Sequence, residues 1–332
     1  MTPVATPVAV RAITWDAALE ETLSRAADPA QTRSVLARVR PAASTGSESR
    51  HHVHSVHRRA VNLRIADELV ALVSPDLDDA PATVRVPVDD WTALQVEPGD
   101  DVSIAPDGFR IETKNGPIAV LTGPAAPWTP SDVCLCALSP SQLLHAEEII
   151  ARSPAPVAQT AFGRAASALL AQRGEALEAA LLERDPAGVA DAASRLLGLG
   201  EGLTPSGDDV LTGLAFVSAQ RGMRLRSALP SLTAALDDDG AERTTLLSAV
   251  TIRHALRARA PQSLHALVRA VRDRDDARIE AAAVRVAAIG HTSGTDMLHG
   301  VRLALRTEAA LRTASAPVPA TPMSGIVQKE HV

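Results

Sequence analysis

Apolar positions recur every three to four residues through most of the second half of the chain, the spacing of one helical face. From Ser139 onward this pattern predicts helices beginning at Ser139, Pro156, Gly174, Pro186, Ser206, Met223, Gly240, Pro261, Asp275 and Ser293. Between His51 and Leu121 the period drops to two. Residues 60–65 alternate, 69–73 are a continuous apolar run, and 83–88, 102–105, 109–113 and 118–121 complete a set of short strands. Asp107-Gly108, Asn115-Gly116 and Pro98-Gly99-Asp100 punctuate them as turns. The pattern predicts an α+β protein, with a small antiparallel β domain, barrel-like if its edges meet, followed by a larger all-helical domain. The expected boundaries are a disordered tail over 1–10, a helical segment over 11–50, the β domain over 51–123, a Pro-rich linker over 124–138, the helical domain over 139–314 and a second tail over 315–332. Within 11–50, helices are expected over 13–27 (Trp15, Leu19 and Leu23 on one face) and 29–38, then a polar loop over 41–50.

Composition narrows the function classes. The 332 residues are 46% hydrophobic but only 2% aromatic, with no tyrosine, which suits helices packed through alanine and leucine. The net charge of −6 leaves no basic footprint for nucleic acid. No long apolar span or leader is evident, so a cytoplasmic protein without a membrane segment is expected. The two cysteines, Cys134 and Cys136, are too close for a disulfide scaffold and suggest a reducing compartment. Plain packing is preferred there to a metal clip. His51, His52, His54 and His57 cluster without an acidic or cysteine partner at ligand spacing, so they read as a solvated strand entry.

The chemistry concentrates in Gly198-Leu199-Gly200-Glu201-Gly202-Leu203-Thr204-Pro205-Ser206-Gly207-Asp208-Asp209, a glycine-rich loop running into an uncharged apolar stretch from Val210 to Ala219. A helix that is apolar all round belongs in a core. Ser206 reads as its N-cap, with Asp209 three residues on as in a capping box. The pattern returns as Ser293-Gly294-Thr295-Asp296-Met297-Leu298-His299-Gly300, and each copy follows a Gly-x-Thr (Gly202-Leu203-Thr204 and Gly290-His291-Thr292). Caps account for Ser206, Ser293, Asp209 and Asp296. They do not account for Asp208, Thr204-Pro205, the glycines or the repetition. Gly213 and Gly300 sit mid-helix, seven residues after each serine, where glycine costs ~1 kcal/mol against alanine. This predicts that the two helices cross there and open their N-termini toward one pocket, completed by His291 and by Thr244 and Thr245.

The Gly-Leu-Thr-Pro-Ser-Gly-Asp-Asp string resembles the hallmark of the AllH-type family, named for a subunit of oxamate carbamoyltransferase, and His291-Thr292-Ser293-Gly294-Thr295-Asp296 fits the same family. The resemblance spans roughly residues 50–312 and is strongest over 196–301. It implies a subunit that handles carbamoyl phosphate and N-carbamoyl-2-oxoglycine in allantoin nitrogen catabolism, beside other subunits of a carbamoyltransferase complex.

On this reading Asp208, Asp209 and Asp296 are the candidate catalytic residues. Gly202, Thr204, Ser206, Gly207, Thr244, Thr245, His291, Ser293 and Gly294 are candidate contacts to a small anionic substrate. Free N–H groups of Gly207, Asp208, Gly294 and Thr295 would hold the anion at two positive helix ends. A carboxylate beside an anion must be protonated, paired with Arg or bound to a cation. No cofactor is expected, with a divalent cation at Asp208/Asp209 as the one option. A non-catalytic anion-binding or assembly subunit, and a metal-dependent hydrolase, stand as alternatives.

Overall fold

The structure, a computed structural model, describes residues 8–26, 51–65, 68–105, 107–153, 161–237 and 240–314. The expected helix over 29–38, the loop over 41–50, the helix start at Pro156 and the tail over 315–332 lie outside them.

In chain order the first half forms β1 (Val8–Arg11), β2 (Thr14–Asp16), α1 (Leu19–Ala26), β3 (His51–His57), β4 (Ala60–Ile65), β5 (Glu68–Val73), β6 (Thr83–Arg85), β7 (Val102–Ala105), β8 (Gly108–Thr113), β9 (Gly116–Leu121) and β10 (Ala126–Trp128). The fold is α+β, but the strands do not close a barrel. They form a four-stranded sheet in the order β1-β9-β8-β7 and a six-stranded sheet in the order β10-β2-β6-β5-β4-β3. Both sheets supply one core, with Phe109, Ile111 and Val120 from the first and Leu63, Leu72 and Val84 from the second. The hairpins follow the turn signals, as where Thr113 pairs with Gly116 across Lys114-Asn115. The sheets are mixed rather than antiparallel: β1 runs parallel to β9, β5 to β6 and β2 to β10.

Three stretches differ from expectation for the same reason. Residues 8–11 are strand instead of tail, residues 14–16 are strand instead of helix, and residues 126–128 of the expected linker are an edge strand. Each is too short to show a period, and its partner is distant in sequence. The histidine-rich β3 lies at a sheet edge with His54 exposed. Burial, His52, Arg64 and His57 lower the pKa of His54.

The second half forms α2 (Pro140–Ala151), α3 (Ala161–Glu183), α4 (Pro186–Leu196), α5 (Ser206–Ser218), α6 (Leu229–Asp237), α7 (Leu246–Leu256), α8 (Gln262–Asp273), α9 (Asp276–Ala287) and α10 (Ser293–Ala314). Ser139 caps α2 in a complete capping box with Gln142. The starts expected at Met223 and Gly240 are short 3-10 turns (Arg224–Ala228 and Gly240–Glu242), and Gly174 lies inside α3. None of the described helices is long and apolar enough to cross a membrane.

The doubled motif belongs to a longer internal repeat. The units α3–α4–α5 and α8–α9–α10 share their joints. Arg184 and Arg274 both adopt left-handed φ values, 56° and 59°. The next residues, Asp185 and Asp275, both N-cap the following helix through their side chains. The motif glycines then let each third helix start press on the end of the second. A Cβ on Gly207 would stand 2.0 Å from the Leu196 carbonyl oxygen, and one on Gly294 would stand 1.8 Å from that of Val286.

The sheet region grips the helices at the N-terminus of α8. Asp78 Oδ2 accepts the Ser263 N–H at 2.9 Å, where the preceding Pro261 offers no side-chain cap. The Asp79 carbonyl accepts the Gln262 N–H at 2.8 Å. Asp16, only 2% exposed, pairs with Arg259 at 2.5 Å.

Candidate functional site

α5 starts one residue earlier than a serine cap would place it. Pro205 is the cap, its carbonyl accepting the N–H groups of Asp208 at 2.9 Å and Asp209 at 3.2 Å, and it has no side chain to cap with. Ser206 is therefore already helical and its hydroxyl is free of capping. The second motif repeats this, with the Thr292 carbonyl accepting the Asp296 N–H at 3.0 Å. Simple N-capping by the two serines is thereby removed as an account of the motifs.

The two helices do cross at their glycines. A Cβ on Gly213 would lie 2.0 Å from the Met297 carbonyl oxygen, and one on Gly300 would lie 2.0 Å from that of Val210. Every residue of α5 from Gly207 to Ser218 is buried. The close crossing brings the two helix starts together, and the Thr204 and Ser293 hydroxyls join at 2.8 Å.

Asp209 and Asp296 meet in this joint, each beside the other motif's serine. Asp209 is 2% exposed and Asp296 8% exposed. Each has its Oδ2 buried without a hydrogen-bond partner. Burial raises Asp209 to about 8; the Ser293 and Thr204 hydroxyls pull it down, and the charges of Asp296 and Asp208 push it further up. Burial raises Asp296 to about 6, against the Ser206 and Thr292 hydroxyls. Burial therefore favours the protonated form of both carboxyls, Asp209 more strongly than Asp296.

Asp208 has a different position. Its Oδ1 accepts the Gly198 N–H at 2.9 Å and its Oδ2 accepts the Thr244 hydroxyl. Burial raises its pKa, opposed by Thr244, Gly198 and Ser248. Both oxygens thus fasten the glycine loop to the segment before α7. Thr245 caps α7 through the Ser248 N–H at 3.1 Å and donates to the Leu203 carbonyl at 2.9 Å. Thr244 and Thr245 hold the loop from one side while Ser293 holds it from the other.

The expected cradle of backbone N–H groups is corrected by this geometry. Gly207 donates to the Leu199 carbonyl at 2.8 Å, Asp208 to Pro205, and Gly294 to the Ile289 carbonyl at 3.0 Å. Tight loop closure at both motifs consumes these donors, so the hydroxyls and carboxyls present the polar surface. Gly202 is exposed in the loop and His291 is exposed before α10. The histidine that approaches the pair is His299, with Nδ1 at 3.9 Å from Asp296 Oδ1 and about half of its side chain exposed. Burial, Arg302 and Arg306 lower its pKa. Its signal in the sequence is its place one turn after Asp296. Thr292 was likewise legible only as the partner of Thr204 in the repeat. Among the described residues no three His, Cys, Asp or Glu side chains gather as a metal site.

This joint falls in a stretch with known relatives. Residues 196–305 match the family model described as oxamate carbamoyltransferase subunit AllH, and residues 21–125 match the AllH family N-terminal domain. The chain belongs to the AllH family. No solved structure matches it. The AllH match spans both motifs, and the AllH N-terminal match covers β3 to β9 of the two sheets.

Proposed function

We propose that this AllH-family chain is a subunit of an oxamate carbamoyltransferase, and that the Asp209–Asp296 pair manages the proton of the reacting amide nitrogen. The observation that carries this reading is the pair of buried, unpartnered Oδ2 atoms at the meeting point of two helix starts. A buried polar atom without a partner is costly unless a ligand meets it.

The chemistry fits a shared proton. In phosphate-dependent cleavage of N-carbamoyl-2-oxoglycine, a phosphate oxygen bonds to the carbamoyl carbon and the bond from that carbon to the oxamate nitrogen breaks. The departing nitrogen takes a proton, which neutral Asp209 supplies. In the reverse direction the oxamate nitrogen bonds to the carbamoyl carbon of carbamoyl phosphate, the bond from that carbon to the phosphate oxygen breaks with phosphate leaving, and the nitrogen loses a proton to a carboxylate of the pair. A protonated Asp209 also relieves the repulsion between an acidic site and an anionic substrate. Ser206, Ser293, Thr204 and Thr292 are the hydroxyls placed to hydrogen-bond substrate oxygens, and the two helix dipoles favour negative charge there. Gly207 and Gly294 serve this site by allowing close approach, and Asp208 serves it by fixing the loop. Leu203, 59% exposed at the loop beside Thr204, offers a surface on which another subunit would cover the mouth.

The test is to purify the chain with the products of its neighbouring genes and follow phosphate-dependent cleavage of N-carbamoyl-2-oxoglycine. Turnover that Asp209→Asn and Asp296→Asn each reduce by ~10²–10⁴, with folding intact, is the expected result. No turnover in any subunit combination would overturn the reading.

A further inference from the structure

The two cysteines form a second chemical site, independent of the one above. Val133 and Leu135 are each 1% exposed, so the extended backbone turns Cys134 and Cys136 to the opposite side. Cys136 is exposed and Cys134 half-buried. Their sulfurs are joined as a disulfide, which corrects the reading of plain packing.

A structural staple is a poor account of this bond. The cysteines are separated by 2 in sequence, and the chain entropy that a cross-link removes grows with the loop it closes. The segment is also fixed without the bond. Leu135 donates its N–H to the Arg221 carbonyl at 2.8 Å, and Arg221 returns one to the Val133 carbonyl at 3.1 Å. Arg312 donates to the carbonyls of Leu135 and Leu138. Val133, Leu135 and Leu138 are anchored in the helical core. Two sulfurs held side by side on a surface that needs no bridge point to chemistry rather than support.

The polarity of the pair is set as well. The Cys136 N–H points at Cys134 Sγ at 3.4 Å. A donor aimed at a sulfur favours its thiolate and makes it the better leaving group. Cys136 is the more exposed of the two residues.

We propose that Cys134 and Cys136 are a thiol–disulfide exchange site whose partner is a low-molecular-weight thiol of the glutathione class. An external thiolate attacks Cys136 Sγ, forming a mixed disulfide there and breaking the Cys134–Cys136 bond, with the electron pair leaving on Cys134. A second external thiolate attacks the external sulfur of that mixed disulfide, releasing the oxidised external disulfide and the Cys136 thiolate. Two electrons pass from two external thiols to the protein disulfide, and the reverse sequence oxidises the dithiol.

The experiment uses the full chain in buffers of reduced and oxidised glutathione, quenched with N-ethylmaleimide and read by intact mass. Oxidised glutathione should convert the wild type to an intrachain disulfide with no alkylated thiol and no adduct, and reduced glutathione should return two alkylated thiols. Cys134→Ser should accumulate one glutathione on Cys136, and Cys136→Ser should accumulate at least ~10-fold less on Cys134, in line with access to each sulfur. Reduction should move the wild-type melting temperature by less than about 4 °C. Thiols that stay free in oxidised glutathione, stable adducts on the wild type, or a melting point that falls by more than about 10 °C on reduction would overturn the proposal. None of these outcomes depends on carbamoyl transfer.

Discussion

Thr204 and Ser293 lie 89 residues apart in the chain, yet their hydroxyls meet at 2.8 Å. This bond ties the glycine loop of the first motif to the helix start of the second, and both hydroxyls lower the pKa of Asp209. Thr204→Val keeps the shape and removes the oxygen. It should cost ~1 kcal/mol in a thermal or urea melt, the usual net worth of one hydrogen bond. The same change should move Asp209 further up, so the alkaline limb of any activity profile should shift to higher pH. An unchanged melt with an unchanged profile would detach Thr204 from the site.

Gly213 gives a test in which two effects have opposite signs. Helix propensity alone favours Gly213→Ala by ~1 kcal/mol. The crossing predicts the reverse, because the new methyl would stand 2.0 Å from the Met297 carbonyl oxygen, a backbone atom that no rotamer change can move. Overpacking of this kind costs ~1–3 kcal/mol, so a net loss of stability is expected, and Gly300→Ala should behave alike. A stabilised Gly213→Ala would refute the close crossing.

The crossing was legible because glycine recurs at the same offset in two apolar helices, and only backbone contact makes that pattern economical. The α+β division was legible from the change of period at Leu121. The parallel pairings of β1 with β9 and of β2 with β10 were not, since each strand has 3 to 6 residues and its partner is about a hundred positions away. Asp208 and Asp209 are adjacent and identical in the sequence, and only the fold separates them. Successive helical residues point about 100° apart, so Asp208 faces Gly198 and Thr244 while Asp209 faces the second motif. His299 is marked only by its place one turn after Asp296, because Thr212 holds the matching position in the first copy of the repeat.

The acid side of stability should be set partly by His265, which is 1% exposed and packed edge-on to Phe216 at 4.9 Å. Burial, then Arg269 and Arg259, lower it from 6.5 to about 4. Its folded pKa lies below its unfolded one. The stability it contributes is therefore complete above pH 6.5 and is lost as pH falls toward 4. Asp209 and Asp296 act in the opposite direction over the same range, so the difference between variant and wild type isolates the histidine. His265→Phe should lose ~1 kcal/mol at neutral pH, since the Ala260 N–H loses its acceptor. Relative to wild type it should recover as pH falls from 6.5 to 4. A difference that does not change with pH would mean that His265 titrates normally.

Asp209 governs the alkaline side, and here stability and function should part. Its pKa rises from 3.8 to about 8, so the folded state holds a proton that the unfolded state has already released. The stability this represents is complete below about pH 4 and is lost as pH climbs through 8. At ~1.4 kcal/mol per pKa unit the swing is on the order of 6 kcal/mol. Asp209→Asn is uncharged at every pH and has nearly the same shape. It should match the wild type near pH 4, exceed it in stability by several kcal/mol near pH 9, and lose turnover at all pH values because Asn cannot release the proton. A residue that merely supported the fold would be expected to lose stability on replacement. Urea melts at pH 4, 7 and 9, run beside the phosphorolysis assay, read both effects. A variant less stable than wild type at pH 9 would show that the fold favours the Asp209 carboxylate instead of disfavouring it, and the shared-proton arrangement with Asp296 would fall with it.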